Sequence, residues 1–136
     1  MASQKNVSTI VLIGVLVLLV FFALYKRKRL INNFMITDGY IYEFGNSRNS
    51  GNTIFFKFRF VVDQVTYYGN TGVPCARTNE IYFQSWKNGK KVEVVYEKEK
   101  PDNCSILLSI RNYNQYSLKI PEEYKGQIHF IDSLRN

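Results

Sequence analysis

Nineteen consecutive residues without a charge, Val7 to Tyr25, constrain this chain more than any other feature in it. From Ile10 to Leu24 the run contains only Ile, Val, Leu and Phe apart from Gly14 and Ala23. A helix of that length spans about 28 Å at 1.5 Å per residue, close to the roughly 30 Å of a bilayer's hydrocarbon core. Its thirteen large apolar side chains each favour insertion by about 0.3 to 0.6 kcal/mol, or about 4 to 8 kcal/mol together.

A cleaved signal peptide and a buried core helix share this composition. A signal peptide has a shorter apolar region and a cleavage site of small residues. Here Phe21-Phe22-Ala23-Leu24-Tyr25 runs straight into Lys26-Arg27-Lys28-Arg29, a poor cleavage site and a good stop-transfer flank. A core helix keeps a polar stripe, and this segment has none. The expected organisation is a tail over 1–6, a transmembrane helix over 7–25, a basic juxtamembrane join over 26–37 and a small domain over 38–136. Lys and Arg are retained on the cytoplasmic side. The four cations after the helix, against Lys5 before it, therefore predict an outside N-terminus and a cytoplasmic domain at the cell membrane. Lys26, Arg27, Lys28 and Arg29 are also candidate contacts for the membrane surface, where each cation near anionic lipid contributes about 1 kcal/mol. The plainer reading is a topology signal, and the two are compatible.

The net charge of +7 raises the question of nucleic acid, and its distribution answers against it. Five of the 18 basic residues flank the apolar run, and from Asp38 onward 13 basic residues face 11 acidic ones, a balance of +2. A nucleic-acid reader carries its charge on the folded module.

The remainder reads as short strands and turns. Ten Tyr and ten Phe suit a pleated, half-buried surface. Thr53 to Val62 alternates strictly, with Ile54, Phe56, Phe58, Phe60 and Val62 on one face and Phe55, Lys57, Arg59 and Val61 on the other. Asp63-Gln64 then separates it from Val65-Thr66-Tyr67-Tyr68, a hairpin pattern without the favoured Asn-Gly turn. Further strands are expected at Gly39 to Phe44, with Tyr40, Tyr42 and Phe44 on one face, at Lys91 to Glu97 and at Cys104 to Ile110. Pro121-Glu122-Glu123-Tyr124 is expected to open a helical turn that Lys125-Gly126 closes, Gln127 to Ile131 reads as a last strand, and Glu80 to Trp86 is a strand or a helical turn. Loops are expected at Gly45 to Asn52 and Gly69 to Asn79, and a turn at Pro101-Asp102-Asn103. With no long amphipathic helix after residue 30, the fold class is mainly β: one N-terminal transmembrane helix, then a small antiparallel sheet, curled or closed into a barrel.

Several of these pieces resemble a known family. Thr37-Asp38-Gly39-Tyr40-Ile41, the stretch Phe58 to Tyr67, the stretch Asn88 to Tyr96, and Pro101-Asp102-Asn103 are similar to the pattern of bacterial domain-of-unknown-function family 3592. The resemblance covers roughly residues 36 to 110, and Gln64 stands where that family usually has Gly. It implies a single helix in the membrane and a small β domain beside it. It implies no reaction, because the family has no established chemistry.

The residues offer no active site either. Metal sites need clustered His, Cys or carboxylate, whereas this chain has one His, His129, and two cysteines, Cys75 and Cys104, in no C-x-x-C spacing. The expectation is no metal, no cofactor and no nucleophile with its base. In a reducing cytosol both cysteines are free thiols; in an oxidising space a Cys75–Cys104 disulfide is plausible. Tyr67, Tyr68, Tyr82, Phe83 and Trp86 form a candidate partner surface if a domain this small cannot bury them all; otherwise they fill its core. The leading reading is a membrane-anchored, non-enzymatic interaction or scaffold domain whose partners are the lipid bilayer and another protein. An immunity-type protein that neutralises a toxin at the membrane is the alternative, and an enzyme with an unrecognised site is the third class.

Overall fold

The structure, a computed structural model, describes residues 2–46, 53–74 and 80–135. Helix α1 runs unbroken over Ala2–Asn32. Five strands follow: β1 (Phe34–Asn46), β2 (Thr53–Val62), β3 (Val65–Pro74), β4 (Lys90–Glu97) and β5 (Lys100–Ile106). A 3-10 helix, η1 (Glu80–Asn88), links β3 to β4, and two helices, α2 (Ile110–Gln115) and α3 (Glu122–Ser133), complete the chain. The expected mainly β class is therefore observed.

All neighbouring strands are antiparallel, in the order β3-β2-β1-β4-β5. The sheet curls until its two edge strands approach, making it nearly a barrel. Gly69 marks the approach: a methyl added there would come within 2.8 Å of the Phe58 ring on β2 and 2.9 Å of Cys104 Sγ on β5. Inside the curl lie Ile41, Ile54, Phe56, Phe58, Phe60, Val92, Val94 and Ile106, all essentially inaccessible. The even positions of β2 supply four of them, as their alternation predicts.

A bulge corrects the reading of β1. Ile41 pairs with Phe58, whereas Glu43 pairs with Lys57, so Tyr42 is an extra residue on β1. An inserted residue shifts the two-residue phase. Tyr40 and Tyr42 remain exposed on the outer face, while Phe44 turns into the core beside Phe56.

The β2–β3 hairpin is confirmed, and its turn is identified. Val62 pairs with Val65, and both intervening residues have positive φ, Asp63 at 48° and Gln64 at 67°. Positive φ at both central positions is the signature of a type I′ turn, whose twist matches that of the flanking strands.

Other boundaries move. The expected loop from Gly69 is strand as far as Pro74, paired along its length with β2; residues 47–52 and 75–79 of the two expected loops lie outside the described residues. The turn expected at Pro101-Asp102-Asn103 falls instead at Lys98-Glu99, and those three residues belong to β5. The apolar run from Cys104 leaves the sheet after Ile106 because Ser109 caps α2, accepting from the Asn112 N–H at 3.2 Å. Gln127 to Ile131 is helical, not a strand. Tyr124, Ile128 and Ile131 lie one turn apart on the buried face of α3, and Glu122 and Glu123 suit its N-terminal turn.

A second core lies outside the curl. Leu30 and Val95 are buried there with Leu107, Tyr113, Tyr116, Tyr124 and Ile128. Strand β4 is thus covered on both faces, and the end of α1 is part of what covers it.

Candidate functional site

The expected join over 26–37 does not form a separate segment. Lys26 to Asn32 contains neither Gly nor Pro, so α1 continues through it, and β1 begins at Phe34. Exposure changes abruptly along this helix. Ile10 to Tyr25 presents large apolar side chains that are 50 to 70% exposed, whereas Leu30 is 5% exposed. Burying a Leu side chain is worth about 1.5 to 3 kcal/mol, so the last turn is held to the domain while the rest stands clear of it.

Polar contacts fix the same junction. Arg29 pairs with Glu97, whose side chain is 2% exposed, and its guanidinium also lies 3.2 Å from Glu99. Asn103 Nδ2 donates both to the Lys26 carbonyl at 3.0 Å and to Glu97 Oε2 at 2.8 Å. The Lys98 N–H donates to the Asn33 carbonyl at 3.1 Å, and Arg27 Nη2 donates to Gln115 at 2.9 Å. The four candidate membrane-surface cations therefore divide. Arg27 and Arg29 are engaged by the domain. Lys26 and Lys28 are exposed, with Lys26 Nζ 4.9 Å from the centre of the Phe22 ring. Glu97 and Asn103 were not singled out from sequence, because each sits in a charged or turn-like stretch that reads as solvated.

The candidate partner surface also divides. Phe83 is inaccessible and Trp86 is 6% exposed. The 3-10 helix lays both against Phe56, with ring centroids 5.3 and 5.6 Å away, so the core needs them as filling. Tyr67 is half-buried, stacked on Phe60 at 5.7 Å. Tyr68 alone of the described members is openly exposed; the Tyr82 side chain lies outside the described residues. Phe83 and Trp86 are therefore withdrawn from the partner surface.

A different face is bare. The outer side of β1, β2 and β3 carries Tyr40, Tyr42, Phe55, Lys57, Arg59 and Tyr68, uncovered by any described helix. The register sets Tyr40 opposite Arg59 and Arg59 opposite Tyr68, one row across three strands. The Tyr42 and Tyr68 rings meet edge to face at 6.0 Å, and Lys57 pairs with Glu43 at 2.8 Å. The sequence did signal this face in the odd positions of β2, which alternate aromatic, cation, cation and aliphatic.

The row borders a cleft of about 430 Å³ lined by Asp38, Tyr40, Arg59, Val61, Thr66 and Tyr68. It is an open saucer and not an enclosed pocket. Tyr40 and Tyr68 are 44 and 61% exposed, and Asp38 is paired with Lys91 at 3.0 Å. Its Asp38, Arg59 and Thr66 side chains are exposed to solvent, so its walls do not form the low-dielectric enclosure that strengthens catalytic electrostatics.

Among the described residues no group of three His, Cys, Asp or Glu side chains is placed to hold a metal ion. His129 is exposed on α3. Cys75 lies outside the described residues. Cys104 is half-buried on β5, where burial and then the nearby Asp102 push its thiol up to about 11, against the reactive thiolate range. No family model matches this chain, and comparison with curated proteins and with solved structures returns no significant match.

Proposed function

We propose that this chain is a single-pass, membrane-anchored interaction domain, non-enzymatic, with its N-terminus outside and its folded domain on the cytoplasmic side. The observation that carries the reading is the contrast along α1. Among the described residues one helix is long and apolar enough to cross a membrane, its apolar stretch is exposed along its length, and its last turn is built into the domain. A soluble protein would need to cover those side chains; a bilayer covers them at no further cost.

The bare Tyr40–Arg59–Tyr68 face is the recognition surface in this proposal, and its partner is another protein. Tyr and Arg are enriched among residues that dominate binding energy. The face lies on rigid paired strands, so it is presented without the cost of ordering a loop. The likeness to bacterial family 3592 belongs to the same proposal. Its matching pieces fall on all five strands of the one sheet, and it brings no reaction with it.

A photo-crosslinking residue at position 68, in the full chain in its native membranes, tests the reading. A discrete protein adduct that disappears with Arg59→Glu is expected. No adduct from position 68, or equal adducts from the exposed control His129, would contradict it, and a toxin in the adduct would assign the immunity role. Orientation is read with a cysteine at the exposed Lys119, with both natural cysteines replaced by Ser. An impermeant thiol reagent should reach it only after permeabilisation.

A further inference from the structure

The exposed aliphatic side chains of the folded domain are not scattered. Among the described residues they are Met35, Ile36, Val61, Val65 and Ile110. The first four, 41 to 55% exposed, gather at one end of the sheet. Gly39 on β1 pairs with Phe60 on β2. The strands run antiparallel, so Met35 and Ile36 fall level with the Asp63-Gln64 turn, which Val61 and Val65 flank.

That end is the one attached to α1. Phe34, opening β1, pairs with Glu97, closing β4; the Lys98 N–H of the β4–β5 turn donates to the Asn33 carbonyl, and Asn103 on β5 donates to the Lys26 carbonyl. Lys26 follows directly on the last residue of the apolar run. The polar headgroup layer adds roughly 5 to 8 Å beyond the hydrocarbon on each side. The helical residues from Lys26 to Asn32 rise about 10 Å. Asn103, which touches Lys26, therefore sits at headgroup depth, Asn33 and the start of β1 sit at the outer edge of that layer, and the β2–β3 turn lies level with them, one to two strand spacings of about 4.8 Å beyond β1. Among the described residues the opposite end of the core carries no such rim; Phe83 and Trp86 of η1 cover Phe44 and Phe56 there.

We propose that the Met35, Ile36, Val61 and Val65 rim rests in the headgroup layer of the same bilayer that α1 crosses. The inference rests on the reading of α1 as a membrane span. The occupant is lipid because the rim continues the membrane-facing end of the junction and because Lys26 and Lys28 stand exposed on the adjoining end of α1, matching an anionic surface. The contact gives the domain a second hold besides its helix. It fixes the tilt of the sheet and sets the Tyr40–Arg59–Tyr68 face at a constant height above the lipid.

The test is depth-dependent fluorescence quenching in the full chain, with Cys75 and Cys104 replaced by Ser and folding checked by Trp86 emission. A single cysteine carrying an environment-sensitive dye is placed at Gln64, at Leu18 within the span, or at Glu43 toward the other end of β1. Each variant is reconstituted in phosphatidylcholine and phosphatidylglycerol vesicles whose acyl chains are brominated near the headgroup. Quenching at Leu18, and quenching at Gln64 several-fold above that at Glu43, is expected, with Val61→Glu plus Val65→Glu abolishing the Gln64 signal. Quenching at Leu18 without quenching at Gln64 would overturn the rim contact and leave the anchor standing, as would equal quenching at Gln64 and Glu43. No quenching at Leu18 would overturn the anchor and the rim together.

Discussion

Arg29, in the last turn of the apolar helix, is paired with Glu97, a carboxylate almost wholly buried at the end of the fourth strand. The pair makes a fixed corner of what the sequence presents as a basic juxtamembrane join. Asn103 accounts for the other Glu97 oxygen while holding the helix backbone at Lys26. Removing one member of such a pair leaves a buried charge without its partner.

Arg29→Ala is accordingly expected to destabilise the domain by about 2 kcal/mol, below the 3 to 5 kcal/mol of fully buried pairs, because the Arg29 side chain is itself 38% exposed. Glu97→Gln keeps an acceptor for Asn103 and removes the buried charge, so it should cost less than Arg29→Ala. Denaturant unfolding in detergent micelles, followed by the emission of Trp86, the chain's one Trp, measures both. Equal stability of Arg29→Ala and the parent would show that the corner is held by packing alone.

Two glycines should respond to the same substitution with opposite signs. A Cβ at Gly69 meets the buried Phe58 ring and Cys104 Sγ, so Gly69→Ala is expected to cost about 1 to 3 kcal/mol as overpacking. Gly126 lies within α3 with nothing near its added methyl. There Ala removes the entropic penalty of a helical glycine and should stabilise by about 0.5 to 1 kcal/mol. The two midpoints, measured in parallel, check whether the curled sheet closes against Gly69.

The hairpin turn makes a third case. Asp63 and Gln64 both occupy the left-handed region, which costs a residue with a side chain about 1 to 2 kcal/mol. Gln64→Gly, alone or with Asp63→Asn, is expected to raise stability by about 1 kcal/mol. A loss of stability would mean that the Gln64 side chain makes a contact worth more than the strain.

That turn also shows what was legible in the sequence. The strict alternation of β2 gave its strand, its inner face and its hairpin, because a two-residue period survives in any context that buries one side. The bulge at Tyr42 was not legible: an inserted residue looks like ordinary sequence until its partners on β2 are known, so Phe44 was read on the wrong face. Helix α3 was legible only in its first turn, from Pro121 to Gly126; Gln127 to Ile131 is too short to separate the two periods, and only Tyr124, a turn earlier, completes the helical one. At the candidate site, the sequence left Phe83 and Trp86 open between a partner surface and core filling, because the core that needs them comes from strands far away in the chain. Glu97 read as solvated for the same reason: its partner lies 68 positions earlier.

Alkaline pH should loosen the outer core. Burial raises the hydroxyl pKa of Tyr113 far above its ordinary value of 10, with its 2.6 Å hydrogen bond to Glu93 as the second cause. Burial also raises Tyr116, and it pushes Tyr124 up to about 12. In each the folded state binds its proton more tightly than the unfolded chain. Their contribution to stability is therefore intact below about pH 10 and is lost as pH rises through the folded values. Tyrosinate absorbance during an alkaline titration should show these three resisting ionisation until the domain unfolds cooperatively, with stability falling steadily above pH 10. Simple titration of all tyrosines near pH 10 in a folded domain would contradict the burial of this cluster.

The membrane reading of α1 is tested most directly by alkaline carbonate extraction of membranes from cells expressing the full chain. The account predicts a product of unaltered length that stays in the pellet through the carbonate wash and is released only by detergent. A full-length chain in the carbonate supernatant, or a product shortened by cleavage after Ala23, would contradict it.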